Sequence, residues 1–296
     1  MKTFVIGATG YIGGSLAEHL RDSGHDVIGL ARTEDKAAQL RQRGITPLIG
    51  DLDDAEALSR GATTTDGTVN AGDAGHMRSM EIVTAALAGS GKPLIHTSGS
   101  SIICDDAQGE YASEHIFPDD AAYTPMEHRL ERIAVDNFVR IAGVTQGIRT
   151  AVVCPTTIYG DGRGMKLDSD QVPKTIVKSK ERGAGVYIGK GLNIWSNVFI
   201  DDLSELYRLV LEKAPSGSFF FAENGENTLL EVATAISRSL GFGGKIESWD
   251  LEEATQELGS WPRIALATNS RVRSTNARNL LGWKPFGPSL TEALVG

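Results

Sequence analysis

A short run of β-branched and aromatic residues, 2–6, opens the chain and breaks into Gly7-Ala8-Thr9-Gly10-Tyr11-Ile12-Gly13-Gly14. Ile12, Leu16, His19 and Leu20 then recur at helical spacing, and Ser23-Gly24-His25 stops that helix before a second apolar run at 26–30. Strand, glycine loop, helix and strand make one βαβ unit. The alternation continues with predicted helices at 37–43, 54–60, about 77–88 and about 126–142. Predicted strands lie between them at 46–49, 67–70, 93–97 and 150–154, the last running into Pro155. Strands that alternate with helices of this length pair in parallel and are covered on both faces. Right-handed crossovers then make the sheet doubly wound, an α/β fold.

Beyond Pro155 the alternation loosens into glycine-rich loops at 160–164 and 183–191. An apolar-acidic stretch, Val198-Phe199-Ile200-Asp201-Asp202, leads into a helix ending near Lys213. A chain of 296 residues exceeds one lobe of ordinary size. The expected division is a nucleotide-binding domain over 1–155, to which 192–214 returns, and a smaller intertwined C-terminal lobe over 156–296 that carries most substrate contacts. No repeat or low-complexity tract interrupts either part.

Composition narrows the partners. With 41% apolar and 23% charged residues the chain reads as soluble and globular. A net charge of −9 disfavours nucleic acid and anionic membrane. A small-molecule substrate is the expected partner, with a homodimer compatible as the assembly. Cys104 and Cys154 sit beside apolar runs without metal-type spacing, so buried reduced thiols are expected and no metal is. The first apolar stretch is too short for a signal-peptide core or a membrane span, which predicts a cytoplasmic protein.

Gly7, Gly10 and Gly13 form a G-x-x-G-x-x-G loop between a strand and a helix. Positions without side chains let backbone N–H groups approach a pyrophosphate at a helix N-terminus, whose partial positive charge favours the anion. The loop, with Thr9, Tyr11 and Ile12, is therefore expected to hold a nicotinamide dinucleotide on a Rossmann half. Where an NAD site carries an acidic residue after the second strand, this chain has Ala31-Arg32. Arg32, and Lys36 a turn further on, suit a 2′-phosphate, so NADP(H) is favoured over NAD(H). The plainer reading makes Arg32 a solvated loop cation. Asp51, Leu52, Asn70, Ala71 and Gly72 follow the third and fourth strands, where the adenine and ribose are expected. Asp51 equally fits a helix cap.

Six motifs in order resemble the extended short-chain dehydrogenase/reductases, in particular the NAD-dependent epimerase/dehydratase group. They are Gly7-Ala8-Thr9-Gly10-Tyr11-Ile12-Gly13, Gly50-Asp51-Leu52, Thr97-Ser98-Gly99-Ser100, Cys154-Pro155-Thr156-Thr157-Ile158-Tyr159-Gly160, Phe199-Ile200-Asp201-Asp202-Leu203 and Leu281-Gly282-Trp283-Lys284-Pro285. The resemblance implies a catalytic Ser or Thr, a Tyr and a Lys four residues after it. It also implies cofactor contacts at Thr97, Ser98, Pro155 and Thr157.

No Tyr-x-x-x-Lys occurs in the helix before Thr150; the register with Asp136 and Val139 puts His128 and Arg132 at the two places. His128 is then a proton donor and Arg132 a fixed cation for the ribose. In the plainer reading His128 caps the helix and Arg132 pairs with Asp136 one turn away. Gly99 occupies the usual hydroxyl position, which leaves Ser100 as the catalytic serine. Tyr123 is an alternative donor, ahead of Tyr111 and Tyr159.

The acidic stretch 105–125 is either a lid over the nicotinamide end or a solvated loop, and Trp195 and Trp261 are either pocket or core aromatics. The leading functional reading is an NADP(H)-dependent oxidoreductase of a small carbonyl or alcohol. Two others stand beside it: an epimerase or dehydratase of a sugar-like substrate, and a redox sensor that kept the dinucleotide and lost the chemistry.

Overall fold

The computed structural model describes residues 1–124 and 127–295, the side chain of His128 excepted. Strand β1 (Lys2–Ile6) leads through the glycine loop into helix α1 (Tyr11–Asp22). The alternation runs on through β2 (Asp26–Ala31), α2 (Glu34–Gln42), β3 (Thr46–Ile49), α3 (Ala55–Thr63), β4 (Gly67–Asn70), α4 (Met77–Leu87) and β5 (Pro93–Thr97). Then come a two-residue strand β6 (Phe117–Pro118), helix α5 (Leu130–Thr145) and strand β7 (Arg149–Pro155). Local chemistry sets the boundaries. Thr33 caps α2 by accepting the Lys36 N–H, which starts that helix three residues before the predicted 37. Asp54 caps α3 by accepting the Ala57 N–H. Helix α5 starts at Leu130, after a 3-10 turn over Glu127–Arg129, and not at the predicted 126, which lies outside the described residues.

The C-terminal half contributes β8 (Thr157–Tyr159), α6 (Gln171–Arg182), β9 (Gly185–Ile188), β10 (Ile194–Phe199), α7 (Ile200–Lys213) and β11 (Ser218–Ala222). It closes with β12 (Glu226–Thr228), α8 (Leu229–Ser239), β13 (Ile246–Trp249), α9 (Leu251–Leu258), α10 (Trp261–Ala265), β14 (Val272–Arg273), α11 (Thr275–Leu281) and α12 (Leu290–Val295).

Seven strands form one parallel sheet in the order β11-β7-β5-β4-β1-β2-β3. Because side chains alternate across a strand, each strand feeds two cores. Val5, Ile95, Val153 and Phe220 face Leu16 and Leu20 of α1 and Leu203, Leu206 and Val210 of α7. Phe4, Ile6, Leu94, Val152 and Phe221 face Leu58 of α3, Met80 and Val83 of α4 and Val139 of α5. The sheet is therefore doubly wound. More of the C-terminal half returns to it than 192–214: β11 pairs with β7 along its whole length, from Ser218 opposite Ala151 to Ala222 opposite Pro155. Within 192–214, β10 belongs to a separate three-stranded sheet, β12-β10-β8, while α7, with Val198 at the end of β10, packs on the main one. Two small pairs, β13-β9 and β14-β6, complete the lobe.

Strand order reverses between β1 and β4, and at such a reversal the loops at the carboxyl ends of the strands diverge into a crevice. Ile6 pairs with Asn70 at its floor, so the glycine loop and the Ala71-Gly72 turn are its two lips.

Candidate active site

Gly7 has φ +86, and a Cβ there would lie 2.4 Å from the Ala71 carbonyl oxygen; at Gly13 it would lie 2.3 Å from the Gly7 oxygen. The loop is thus folded tightly against both the Ala71 turn and the first turn of α1, with the Gly10 N–H donating to the Gly7 oxygen at 2.9 Å. Helix α1 is N-capped by Gly10, which brings no side chain to the free N–H groups of the first turn. Such a cradle fits a dinucleotide pyrophosphate.

Two hollows meet along the carboxyl edge of the sheet, and Ala71 and Gly72 line both. The first, about 320 Å³, is bounded by Gly7, Thr9, Gly10, Arg32, Asp51 and Leu52. Arg32 is exposed, and among the described residues it pairs with no carboxylate. Lys36 is exposed on α2 and does not line the hollow. Asp51 accepts the N–H groups of Asp53 and Asp54 at 2.9 and 3.0 Å and so shapes the turn, while the helix cap is Asp54.

The second hollow, about 510 Å³, has Tyr11, Ile12, Ser98, Ser100, Arg132 and Pro155 on its walls. The Tyr11 hydroxyl donates to the Gly160 oxygen at 2.7 Å, tying α1 to the loop after β8. Three of the expected cofactor residues turn elsewhere. Thr97 shares a 2.7 Å hydrogen bond with the Tyr207 hydroxyl in the core. Thr157 lines a separate small recess with Val172 and Asn197, and Thr156 and Ile158 line the main hollow in its place. Asn70 is buried; its oxygen accepts the Gly72 N–H at 3.0 Å and its amide nitrogen lies 3.1 Å from His96 Nδ1.

Ser100 begins a 3-10 turn and is 2% exposed. The single Ser270 hydroxyl hydrogen is within reach of both the Ser100 Oγ at 2.9 Å and the Ser100 carbonyl oxygen at 3.0 Å; when it goes to the carbonyl, the two hydroxyls meet with Ser100 as donor. Ser98 is committed differently: its hydroxyl donates to Asp136 Oδ2 at 2.6 Å. Asp136 Oδ1 in turn lies 3.4 Å from Nε2 of the fully buried His96. With Asp136 engaged below the floor, Arg132 does not pair with it. Arg132 Nη1 reaches the Ser101 Oγ at 3.4 Å and stands 3.0 Å from where a Gly99 Cβ would be, so the glycine at that position makes room for a guanidinium.

Sequence reasoning missed Arg129. It lines the same hollow, and its Nε is buried without a hydrogen-bond partner. Burial, with the adjacent Arg132 cation adding to it, pulls its pKa below the ordinary arginine value. The signal was present: Arg129 and Arg132 are three apart and so share a face once a helix forms.

Tyr123 packs among Phe117, Phe219 and Phe221, with ring centroids 6.4, 6.2 and 6.3 Å away, and is not on the walls of the hollow. Burial raises its phenol well above the ordinary tyrosine value, the reverse of what a proton shuttle at neutral pH requires. Tyr159 donates to the Pro288 oxygen, and Tyr111 is exposed. The side chain of His128 lies outside the described residues.

The acidic stretch is a brace and not a lid. Asp105 accepts the Asn269 N–H at 2.7 Å, β6 pairs with β14, and Asp119 accepts the N–H groups of Phe221 and Asn276 at 3.0 and 2.8 Å. Trp195 and Trp261 both line the main hollow, beside Ile264 and Ala265. Among the described residues no helix is long and apolar enough to cross a membrane.

The sequence profile of the NAD dependent epimerase/dehydratase family matches residues 3–220. The chain is 32% identical over 335 residues to Oxidase ucsJ of Acremonium sp, covering 99% of this chain and 95% of that protein. It is 31% identical over 312 residues to an uncharacterized protein of Schizosaccharomyces pombe, covering 100% and 98%. Among solved structures, dTDP-glucose 4,6-dehydratase from Bacillus anthracis in complex with NAD superimposes with a TM-score of 0.78 at 15% identity, covering 99% of this chain and 95% of that one.

Proposed function

Because the chain belongs to the NAD-dependent epimerase/dehydratase family of the extended short-chain dehydrogenase/reductases, we propose that it is an NADP(H)-dependent oxidoreductase of a small carbonyl or alcohol substrate. The observation that carries this reading is that the two hollows are adjacent, with Ala71 and Gly72 lining both. A dinucleotide cradled at Gly7, Gly10 and Gly13 then ends beside Ser100 and Arg132.

When bound, the dinucleotide supplies or takes up a hydride at the substrate carbon. The chain handles the oxygen. The Ser100 hydroxyl donates to it, and the Ser270 hydroxyl hydrogen, in reach of both the Ser100 carbonyl and its Oγ, swings to the Oγ as that proton moves. The part of the Arg132 guanidinium is to donate hydrogen bonds that stabilise the negative charge developing on the oxygen and to hold the ribose. Ser98 positions: its bond to Asp136 fixes the turn on which Ser100 sits. Arg32 supports the NADP(H) preference, since it stands exposed on the wall of the adenosine-side hollow where a 2′-phosphate would approach.

The test is spectrophotometric. Purified protein, a panel of aldehydes and ketones and either NADPH or NADH are mixed, and loss of the reduced-cofactor absorbance is followed. Turnover with NADPH in preference to NADH is expected. Arg32→Ala should weaken NADPH by about 10- to 100-fold, the worth of a hydrogen bond to a charged group, and leave NADH nearly unchanged. Tight cofactor binding with no turnover across the panel would refute the catalytic reading. Equal use of NADH by the wild type would refute the preference.

A further inference from the structure

Two guanidinium groups stand on one wall of the main hollow without an anion. Among the described residues neither Arg129 nor Arg132 pairs with a carboxylate, although the chain carries 38 acidic residues against 29 basic ones and most of its other arginines are paired. The Arg129 Nε is buried with nothing to donate to. Burying a charged donor without a partner is costly, and two like charges side by side add to that cost. Such an arrangement is retained where something arrives to relieve it.

The location points to substrate and away from the cofactor phosphates: Arg129 lines the hollow that Trp261, Ile264 and Ala265 also line, whereas Gly7 and Gly10 line the other one. The same hollow offers the apolar surfaces of Trp261, Ile264, Ala265 and Trp195, beside the polar side chains of Lys166, Ser169, Asp170 and Gln171. A ligand that fits has an anionic head and an apolar body. The planar fork of an arginine matches a carboxylate in bidentate fashion, and Arg129 at the end of the 3-10 turn with Arg132 in the first turn of α5 brings two such forks to one hollow.

We propose that the substrate is an apolar oxo acid, or the corresponding hydroxy acid, whose carboxylate is held by Arg129 with Arg132. This rests on the oxidoreductase reading for the carbonyl chemistry and adds the substrate class. The redox balance is that of that reading: the carbonyl carbon gains a hydride from the reduced dinucleotide, and its oxygen gains a proton taken up from water and relayed through the Ser100 hydroxyl, which ends the step protonated.

Binding separates the two ideas, because the oxo acid and the oxidised cofactor form a complex that cannot react. With saturating NADP⁺, calorimetric titrations compare 4-methyl-2-oxopentanoate, its methyl ester and 3-methylbutyl phosphate. The acid should bind at least about tenfold more tightly than the ester, the size expected of a charge-assisted pair. In Arg129→Gln the acid should weaken by about tenfold or more and the ester by less than about threefold, with the unliganded thermal midpoint no lower than that of the wild type. A merely structural arginine would give a lower midpoint and equal losses for both ligands. If Arg129→Gln does not fold, Arg129→Lys is expected to bind the acid at intermediate affinity, since an ammonium lacks the fork; unchanged affinity there would overturn the proposal.

Equal binding of acid and ester by the wild type overturns it, as does tighter binding of the phosphate ester. Turnover of neutral ketones with no preference for acids overturns this inference and leaves the oxidoreductase reading intact. Preference for the acid with no oxidation of NADPH does the opposite.

Discussion

Replacing Gly13 with alanine tests whether the tight loop is what holds the dinucleotide. The new methyl group would lie 2.3 Å from the Gly7 oxygen, 2.6 Å from the Gly7 carbonyl carbon and 3.2 Å from the Ala8 nitrogen. A carbon and a carbonyl oxygen settle at roughly 3.3 Å, so the loop and α1 must part by about 1 Å. Neither side yields easily. Gly7 is itself wedged against Ala71, and its oxygen accepts the Gly10 N–H. A shift of that size takes the first-turn N–H groups out of line with a pyrophosphate. Each such charge-assisted bond is worth about 1.5–3 kcal/mol, on the order of 10- to 100-fold in affinity. Fluorescence titration with NADPH should show that loss in Gly13→Ala. Gly24→Ala is the control: its φ is +84 and no atom lies within 4 Å of the added carbon. It should cost about 1 kcal/mol of stability in urea and leave cofactor affinity alone. A Gly13→Ala protein that binds NADPH within threefold of the wild type would refute the reasoning.

Three further perturbations probe the surroundings. Ser98→Ala takes the donor from the buried Asp136 Oδ2 and should cost about 1–3 kcal/mol in urea unfolding at an unchanged m-value; no measurable loss would contradict the role given to that bond. Burial, the dominant cause, pushes Asp119 up to about 6, above the ordinary carboxylate value near 3.8. Between those values the folded chain holds a proton that the unfolded chain has released, so this contribution is full below about pH 4 and is lost as the pH rises through 6. The stability of the wild type relative to Asp119→Asn should accordingly fall from pH 4 to pH 7, and a flat difference would refute the assignment. Burial also pushes the Cys104 thiol up to about 12 and that of Cys154 well above its usual value, so at pH 8 neither should react with a disulfide reagent until denaturant is added. Rapid reaction of the native protein would contradict their burial.

The main sheet was legible wherever the information was local. The run 2–6 is apolar on both faces, the helix after it is periodic, and turn residues separate each from the next, so pattern and propensity agree. The three-stranded β12-β10-β8 sheet draws on residues near 157, 194 and 226, each strand only three to six residues long. No single short run announces such pairing. Strand β11 is a different case. Phe219, Phe220 and Phe221 form a plain buried-strand signal, but its place beside β7 is set by α7 packing back over the sheet.

At the site the same contrast has chemical consequences. Helical spacing put Asp136 within reach of Arg132, and an isolated helix would pair them. Tertiary structure overrides this because β5 brings His96, and Ser98 just after the strand, beneath the helix, and a buried carboxylate goes to the partners that come to it across the interface. A histidine inside the apolar strand 93–97 was the one local sign that such a partner existed. Once Asp136 is taken from below, Arg132 pairs with no carboxylate among the described residues, and neither does Arg129, in the 3-10 turn just before α5. The engagement of Asp136 thus accounts for the free state of Arg132, and Arg129 adds a second cation to the same hollow. That is why neither the missing tyrosine nor the missing lysine, taken alone, could reveal what faces the substrate.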